Sequence, residues 1–450
     1  MKRNYVNIGV HVPEIMLPSR DCDLNRWSVV ACDQYTSQPD YWEGVKKTAG
    51  ESPSTFKLTF PEIYLKDEDR DERIRNINST MEKYLNEGVL EPQEPGFILL
   101  DRSTGHAASR KGLMLALDLE KYDYNKGSQT LIRATEGTVL DRIPPRVRIR
   151  EHAKIELPHI MVLIDDPGKT VIEPLFAGID AFSKVYDFEL MKNGGHIKGW
   201  KTNDEKSIEA VAAALERLAE PSAFNEKYGL TGDNGILLFA VGDGNHSLAT
   251  AKAHWENIKA AGGARVMENH PARYALVEIV NVHDSGIVFE PIHRVLFNID
   301  KASILDELVR YCNNASKAGY KLFSSEASMH SEMETLTNSK ELHAIPFVLE
   351  GQFGLFTVAN PVHNLEVGTL QAALDKLVKA HEEIEIDYIH GSPVVNELGS
   401  KRGNMGFYLP AMDKHDLFKT VILEGVLPRK TFSMGEADEK RFYLECRKIV

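Results

Sequence analysis

The sequence predicts an α+β protein in which mixed β-sheets are flanked by helices. Apolar runs typical of strands alternate along the whole chain with segments that carry apolar residues at helical spacing. No internal repeat or low-complexity tract interrupts this alternation. Apolar residues make up 42% and charged residues 26% of the chain, which is typical of a globular protein. Mixed strands and helices favour packed layers rather than a helical bundle or a β-sandwich.

A chain of 450 residues is long enough for two or three domains with separate cores. We predict an N-terminal α/β region over 1–168, a core region over 169–300 and a C-terminal α+β region over 301–450. The predicted strands are 27–32, 96–102, 112–124, 157–170, 235–241, 272–282, 286–296, 344–350, 354–360, 385–390 and 405–412. The predicted helices are 67–90, 207–219, a helix from the end of strand 235–241 to about 261, 301–315, 370–380 and 415–423. We expect strands 272–282 and 286–296 to be neighbours.

Charge and cysteine content narrow the class of protein. The formal net charge is −13, with 66 acidic against 53 basic residues, and an acidic surface repels nucleic acid. No apolar run reaches the length of about 18 residues that suggests a membrane span, and the N-terminus lacks a signal-peptide pattern. The cysteines Cys22, Cys32, Cys312 and Cys446 form no CxxC motif. We therefore expect a cytoplasmic protein with reduced thiols, a small-molecule or nucleotide ligand, and no nucleic acid or membrane partner.

The stretch FAVGDGNHSLATAKAHWE, residues 239–256, predicts a strand that turns directly into a helix. Gly242 and Gly244 remove side chains where backbone amides could approach a ligand, and a helix N-terminus attracts anions. Asp243 could orient a sugar hydroxyl, accept a proton or hold a metal ion, and His246 could donate to an anion or transfer a proton. From these residues alone, an ordinary capped turn is the more economical interpretation. The chain contains neither GxxxxGK[ST] nor GxGxxG.

Arg133, Glu136 and Thr138 precede a Pro-Pro loop and form a candidate substrate clamp. Glu136 is the preferred general base, since a carboxylate can accept the proton of a substrate hydroxyl. The alternative is a surface strand and turn with a weak ion pair. The arginines of the following segment, 142–150, could attract an anionic ligand, although alternating arginines in a strand usually mark a solvated face.

Three further groups of residues are candidates for ligand or metal binding. Asp165 and Asp166 end a predicted strand and suit a divalent ion, or they simply begin a turn before Pro167. His293 and Arg294 would reach the same cleft as His246 if their strands lie beside strand 235–241; otherwise they are a structural histidine and a surface arginine. The polar loop DQYTSQPDYW, residues 33–42, follows a buried strand, where ligands often bind in α/β folds.

Several segments together resemble a known family, domain of unknown function 1015. GDGNHSLATAK is similar to its DGHHR-type motif, and RATEGT, VLIDDP, FEPIHR and LPRKTF resemble further family segments in the same order over nearly the whole chain. The resemblance implies a ParB/sulfiredoxin-like core around the Gly242–Ser247 loop, with nucleotide phosphates bound there. Sulfiredoxin chemistry would need a cysteine in this loop, and ParB-type DNA segregation would need a basic surface; the sequence has neither.

Carried over residue by residue, the motif falls on Asp243, Gly244, Asn245 in place of the first histidine, and His246 for the second. Ser247 stands where the family has arginine. Arginine binds phosphate through two charge-assisted hydrogen bonds, whereas serine offers one hydroxyl. Either the phosphate role is weakened here, or another cation substitutes, for which the candidates are Arg294, Lys252 and Lys430.

The favoured hypothesis is a nucleotide-dependent enzyme, either a small-molecule kinase or a phosphohydrolase. Its predicted catalytic residues are Glu136, Asp243 and His246, and Mg²⁺ would accompany the nucleotide on Asp243 or on Asp165 and Asp166. The predicted ligand-binding residues are Gly242, Gly244, Asn245, Ser247, Arg133, Thr138, His293, Arg294 and Lys430. One alternative is a non-catalytic protein that binds an anionic metabolite and signals through a partner. Another is an architectural role for the motif, with the working site in loop 33–42.

Overall fold

The computed structural model describes residues 1–232, 234–262, 270–312, 317–336 and 341–450. The chain forms two compact units. The first unit comprises Met1–Val288 together with Gly435–Val450, and the second comprises Phe289–Met434. The last 16 residues thus return to the first unit, and the three regions 1–168, 169–300 and 301–450 stay a prediction. No helix in the described ranges is long and apolar enough to cross a membrane.

Strands and helices alternate along both units. The described strands are β1 Asn4–Tyr5, β2 Val10–His11, β3 Met16–Pro18, β4 Val29–Val30, β5 Leu90–Pro92, β6 Phe97–Ser103, β7 Arg110–Asp118, β8 Tyr122–Asp123, β9 Ile132–Ala134, β10 Ile155–Glu156, β11 Met161–Ile164, β12 Ser183–Glu189, β13 His196–Thr202, β14 Phe239–Asp243, β15 Tyr274–Asn281, β16 Phe289–Phe297, β17 Lys317–Phe323, β18 Leu342–Leu349, β19 Gln352–Ala359, β20 Glu385–His390, β21 Met405–Phe407, β22 Phe432–Met434, β23 Phe442–Tyr443 and β24 Arg447–Lys448. The described α-helices are α1 Leu24–Trp27, α2 Pro39–Ala49, α3 Arg70–Asn86, α4 Ile143–Arg150, α5 Glu173–Ala177, α6 Glu205–Leu218, α7 Pro221–Tyr228, α8 Asn245–Gly262, α9 Ile304–Cys312, α10 Glu326–Leu336, α11 Glu366–Ala380, α12 Ser392–Gly399 and α13 Lys414–Glu424. The end of the helix predicted over 301–315 lies outside the described residues.

The large sheet of the first unit has the strand order β12-β13-β6-β7-β15-β11-β14-β9-β8. Its central strands β11 and β15 are buried along their whole length, as expected for apolar runs covered on both faces. β11 runs parallel to β15 and antiparallel to β14, and β9 runs parallel to β14. Asp243, at the end of β14, therefore lies opposite Met161, at the start of β11. We call this end of the two strands the turn edge of the sheet.

The second unit has its own sheet, with the order β17-β19-β18-β21-β16-β20. The predicted hairpin over 344–360 is confirmed as β18 and β19. The prediction that 272–282 and 286–296 form neighbouring strands is wrong: β15 pairs with β7 and β11, whereas β16 pairs with β20, β21 and β22. The general prediction of mixed strands and helices in several sheets is confirmed, and the ParB/sulfiredoxin-like core stays a prediction.

Candidate functional site

The predicted strand-to-helix turn is present, and its backbone requires glycine. Gly244 has φ +79°, a backbone conformation that residues other than glycine rarely adopt. A Cβ atom there would also lie 3.0 Å from the Cα atom of Ile160. The Gly244 N–H donates to Oδ1 of Asp243 at 2.9 Å, and α8 begins at the next residue. The turn edge thus presents the N-terminus of a helix of 18 residues, whose first N–H groups have no partner within the helix.

The segment that follows β9 runs alongside the first turn of α8. The Thr135 N–H donates to Oδ1 of Asn245 at 3.3 Å, and the Val139 N–H donates to Nε2 of His246 at 3.3 Å. Asn245 also donates to the Val241 carbonyl. Asn245, which occupies the place of a family histidine, therefore ties two segments of backbone together.

The imidazole of His246 is neutral at pH 7. Burial lowers its pKa, and the nearby charges of Arg146 and Arg142 lower it further. Because Nε2 accepts the Val139 N–H, the ring proton is on Nδ1. His246 is therefore a hydrogen-bond donor through Nδ1 at the first turn of the helix.

The segment after β9 places the predicted site residues Glu136 and Thr138 beside the turn, whereas Arg133, on β9 itself, points elsewhere. Glu136 and Thr138 are half-buried and lie between Thr135 and Val139, which contact α8 directly. The hydroxyl of Thr138 is buried without a hydrogen-bond partner among the described residues. The buried Arg133 instead donates to the carbonyls of residues 130 and 235, away from the turn, and burial lowers its pKa to about 10.

A chain of hydrogen bonds runs from Ser247 through His159 to Tyr443. Oγ of Ser247 lies 2.9 Å from Nε2 of His159, and Nδ1 of His159 lies 2.8 Å from the Tyr443 hydroxyl. That hydroxyl accepts the backbone N–H of Cys32 at 3.1 Å, so its proton is available for Nδ1. The hydrogen-bond pattern then assigns the imidazole proton to Nε2, which faces Ser247 and, at 3.8 Å, a carboxylate oxygen of Asp33.

This arrangement is not a Ser-His-Asp triad. In a triad the carboxylate accepts from Nδ1 while Nε2 takes the serine proton. Here both Ser247 and Asp33 face Nε2 of His159, and Nδ1 contacts the Tyr443 hydroxyl. His159 therefore acts as a donor toward the site and does not activate Ser247 as a nucleophile.

Asp33 belongs to the polar loop predicted as an alternative site, and the structure joins that loop to the turn. Burial acts to raise the pKa of Asp33, but the proximity of Nε2–H of His159, a hydrogen bond from Gln34 and the charge of Lys440 outweigh it and lower the pKa. Asp33 is therefore an ionised carboxylate at neutral pH, within reach of the turn.

Lys440 supplies a cation at the turn. Its Nζ atom lies 3.3 Å from Oδ2 of Asp243. β23 pairs with β4, so Lys440 and Tyr443 run beside the residues that precede Asp33. Among the cations predicted to replace the family arginine, Lys252 pairs with Glu256 of α8 and donates to the Leu119 carbonyl.

The other two predicted cations, and the histidine beside one of them, lie in the second unit. Arg294 is fully buried and donates to Gln371 and to the carbonyls of residues 292 and 429. Nδ1 of His293 accepts the backbone N–H of Leu409, and burial, together with the charge of Arg294, lowers its pKa to about 4. Lys430 is exposed, with φ +57°. The condition under which His293 and Arg294 were expected to reach the cleft of His246, strands beside β14, is not met, because β16 belongs to the other sheet.

Asp165 and Asp166 lie at the opposite end of β11 from the turn edge. Asp165 is four residues beyond Met161, which corresponds to about 13 Å along an extended strand. The carboxylate of Asp165 accepts from Tyr228 at 2.6 Å and contacts Lys227 at 2.8 Å and His283 at 2.6 Å.

The carboxylate of Asp166 accepts the backbone N–H groups of Thr170 and Val171, which matches the alternative of a structural turn. Within the described residues, no group of three or more His, Cys, Asp and Glu side chains is arranged to hold a metal ion. Asp165 and Asp166, which were predicted to hold Mg²⁺ for a nucleotide bound at the turn, lie at the other end of β11.

Sequence reasoning missed His159, Lys440 and Tyr443. His159 lies two residues before the buried strand β11, in LPHIMVLI, and this position was the one available signal. Lys440 and Tyr443 lie in a short tail without a motif. Their roles depend on the return of the tail to the first unit.

Comparisons with known proteins fit the family resemblance. A family model described as a protein of unknown function (DUF1015) matches residues 16–377. A comparison with curated proteins gave no match. The chain is similar to a solved mutant free serine kinase in complex with ADP, with TM-score 0.38 and 11% identity over 75% of this chain and 92% of that chain.

Two further solved structures are similar at the same low level. A conserved hypothetical protein from Pyrococcus furiosus gives TM-score 0.33 and 13% identity, covering 74% of this chain and 90% of that chain. C-terminally truncated SbnI from Staphylococcus aureus gives TM-score 0.32 and 8% identity, covering 72% of this chain and 83% of that chain. At these TM-scores, none of the three likenesses bears on what this chain binds.

Proposed function

The chain belongs to the DUF1015 family, and we propose that it is a nucleotide-dependent enzyme, a small-molecule kinase or phosphohydrolase, that binds nucleotide phosphates at the Gly242–Ser247 turn. The turn and the helix that follows it are the parts that a ParB/sulfiredoxin-like core would use for this purpose. The proposal concerns the first unit alone.

The position of Lys440 carries the proposal. A helix N-terminus offers unpaired N–H groups and a partial positive charge, but Ser247 lacks the full charge of the family arginine. The Lys440 ammonium group, 3.3 Å from the Asp243 carboxylate, provides that charge at the start of α8. A phosphate here would meet the partial positive charge of the helix N-terminus and the Lys440 ammonium group, which it would share with the Asp243 carboxylate.

Acid–base roles follow from the protonation states. Asp33 is an ionised carboxylate and would accept the proton of an attacking hydroxyl group or water. Nε2–H of His159 would donate to a phosphate oxygen, as would Nδ1–H of His246. Glu136, in the segment beside the turn, is the second candidate for the base.

A carboxylate next to a phosphate also suits magnesium. Mg²⁺ is commonly held by one or two carboxylates together with substrate phosphates and water. Asp243 has this donor chemistry and lies at the turn, whereas Asp165 and Asp166 lie at the far end of β11. We therefore assign any Mg²⁺ to Asp243, where it would neutralise phosphate charge.

Calorimetric titration with ADP and ATP, with and without Mg²⁺, tests the proposal on two matched variants. Lys440→Met and Lys252→Met each remove one lysine whose side chain is 17% exposed. Loss of a hydrogen bond to a charged group costs about 1.5–3 kcal/mol, so Lys440→Met should weaken nucleotide binding by about 10-fold or more. Lys252→Met should leave it unchanged. Equal effects of both variants, or no nucleotide binding by the wild type, would contradict the proposed site.

The second candidate is a non-catalytic protein that binds an anionic metabolite. The serine in place of the family arginine favours it, because serine binds phosphate less strongly. It predicts saturable binding at the turn without formation of ADP from ATP. Measuring ADP release from ATP in the presence of small hydroxyl compounds distinguishes it from the enzyme.

A further inference from the structure

A cavity of about 160 Å³ borders the Ser247–His159–Tyr443 chain in the first unit. Most of its wall is apolar. The apolar side chains include Leu58, Phe60, Ile77, Met81, Ile149 and Leu157. Ser247, His159 and Tyr443 also line it, so one side of the cavity carries the polar chain described above.

The charged residues of the wall neutralise one another. Arg146 pairs with Glu62, and Arg150 pairs with Glu156. A ligand inside would therefore meet no net charge from these four side chains. Burying a charged or many-hydroxyl compound there would leave polar groups without partners, at a cost of about 1–3 kcal/mol for each group.

Size sets a second limit on the ligand. An engineered cavity of about 150 Å³, lined by Leu, Ile and Phe, binds benzene. The cavity beside His159 has a similar volume, about 160 Å³, and a similar apolar wall. It therefore fits an apolar body of about six non-hydrogen atoms.

We propose that this cavity holds the acceptor substrate, an uncharged alcohol with an apolar body of about six non-hydrogen atoms. This inference rests on the proposed function. The hydroxyl of the alcohol faces the polar side of the cavity, where Nε2 of His159 lies 3.8 Å from the Asp33 carboxylate. The acceptor oxygen forms a bond to the terminal phosphorus of the nucleotide while the bond to the leaving diphosphate oxygen breaks. Asp33 takes the hydroxyl proton.

Titration of the full chain with cyclohexanol and with glycerol, in the absence of nucleotide, tests the cavity. Cyclohexanol combines one hydroxyl with an apolar ring, whereas glycerol is of similar size but polar throughout. We expect saturable binding of one cyclohexanol per chain and at least 10-fold weaker binding of glycerol. Equal binding of both compounds would overturn the proposal.

Two variants locate the binding. Ala153→Leu places a larger side chain on the cavity wall and should weaken cyclohexanol binding at least 10-fold. Ala212→Leu makes the same change at a similarly buried site on α6, which does not line the cavity, and should retain binding. If either variant fails to fold, a cyclohexanol soak of wild-type crystals decides the matter, because density at any other position would refute the proposal.

The two proposals fail in different ways. A parallel ADP titration without alcohol tests nucleotide binding alone. Cyclohexanol binding without ADP binding would overturn the proposed function and remove the acceptor role from the cavity. ADP binding without cyclohexanol binding would overturn only the acceptor proposal. With ATP present, faster ADP release with cyclohexanol than with glycerol is the result expected if both hold.

Discussion

Removing the Tyr443 hydroxyl tests the hydrogen-bond chain that organises the site. In Tyr443→Phe, the backbone N–H of Cys32 and Nδ1 of His159 both lose their partner. Tyr443 is only 2% exposed, so both groups are left inside the first unit. Each buried group left without a partner costs about 1–3 kcal/mol. With two such groups, we expect the free energy of unfolding of the first unit to fall by about 2–6 kcal/mol.

Tyr122→Phe is the matched control. Tyr122 is 1% exposed in the same unit, but its hydroxyl has no hydrogen-bond partner among the described residues. Removing an unpaired buried hydroxyl costs nothing in lost hydrogen bonds and removes a desolvated group. Its free energy of unfolding should be equal to that of the wild type or higher.

Urea denaturation followed by tryptophan fluorescence measures the effect. All four tryptophans, Trp27, Trp42, Trp200 and Trp255, lie in the first unit, so the signal reports the unfolding of that unit alone. If Tyr443→Phe is no more destabilising than Tyr122→Phe, the hydrogen-bond chain does not exist as described. The assignment of His159 as a hydrogen-bond donor toward Ser247 would then be wrong as well.

Three further predictions use the same fluorescence assay. Gly244→Ala should destabilise the first unit more than Gly88→Ala does. Both glycines have a positive φ, but only a Cβ atom at position 244 would contact a neighbouring backbone. Equal decreases in the free energy of unfolding would refute the close contact. Asp165→Asn should cost about 1.5–3 kcal/mol, because it removes a buried carboxylate that contacts Lys227 and accepts from Tyr228, yet nucleotide affinity should not change. A weakened affinity would contradict the separation of Asp165 from the turn. Burial and the charge of Arg150 lower the pKa of His254 from 6.5 to about 4. Between these two pH values the unfolded state binds more protons than the folded state, so the free energy of unfolding decreases as the pH falls. The loss should reach about 3 kcal/mol at pH 4. His254→Asn should flatten that pH dependence, and an unchanged slope would refute the shift.

Local features of the fold could be predicted where the sequence restricts the backbone. The turn before α8 follows from the glycines around Asp243, because only glycine readily adopts the positive φ found at 244. The hairpin β18–β19 follows from two apolar runs joined through Glu350 and Gly351, which both have positive φ. In both cases, the residues that determine the structure are neighbours in sequence.

Helix α4 shows why a local pattern can mislead. The alternating arginines 146, 148 and 150 suggested a strand with one charged face. In the structure they lie on a helix that begins with Ile143 and two prolines, which are tolerated in a first helical turn. Arg146 and Arg150 are four residues apart and so share one helix face, where each pairs with a glutamate. Arg148 reaches a different partner, Asp71.

The sequence alone determined the α+β class, the family resemblance and the strand–glycine–helix turn that carries Asp243 and His246, because these depend on composition, residue order and local backbone geometry. Only the tertiary structure decided which side chains meet at that turn. The antiparallel pairing of β11 with β14 separates Asp165 from it, and the pairing of β23 with β4 delivers Lys440 and Tyr443 to it. These pairings join segments far apart in the chain. They depend on how buried strands are ordered within the sheets of the first unit, which no single segment encodes.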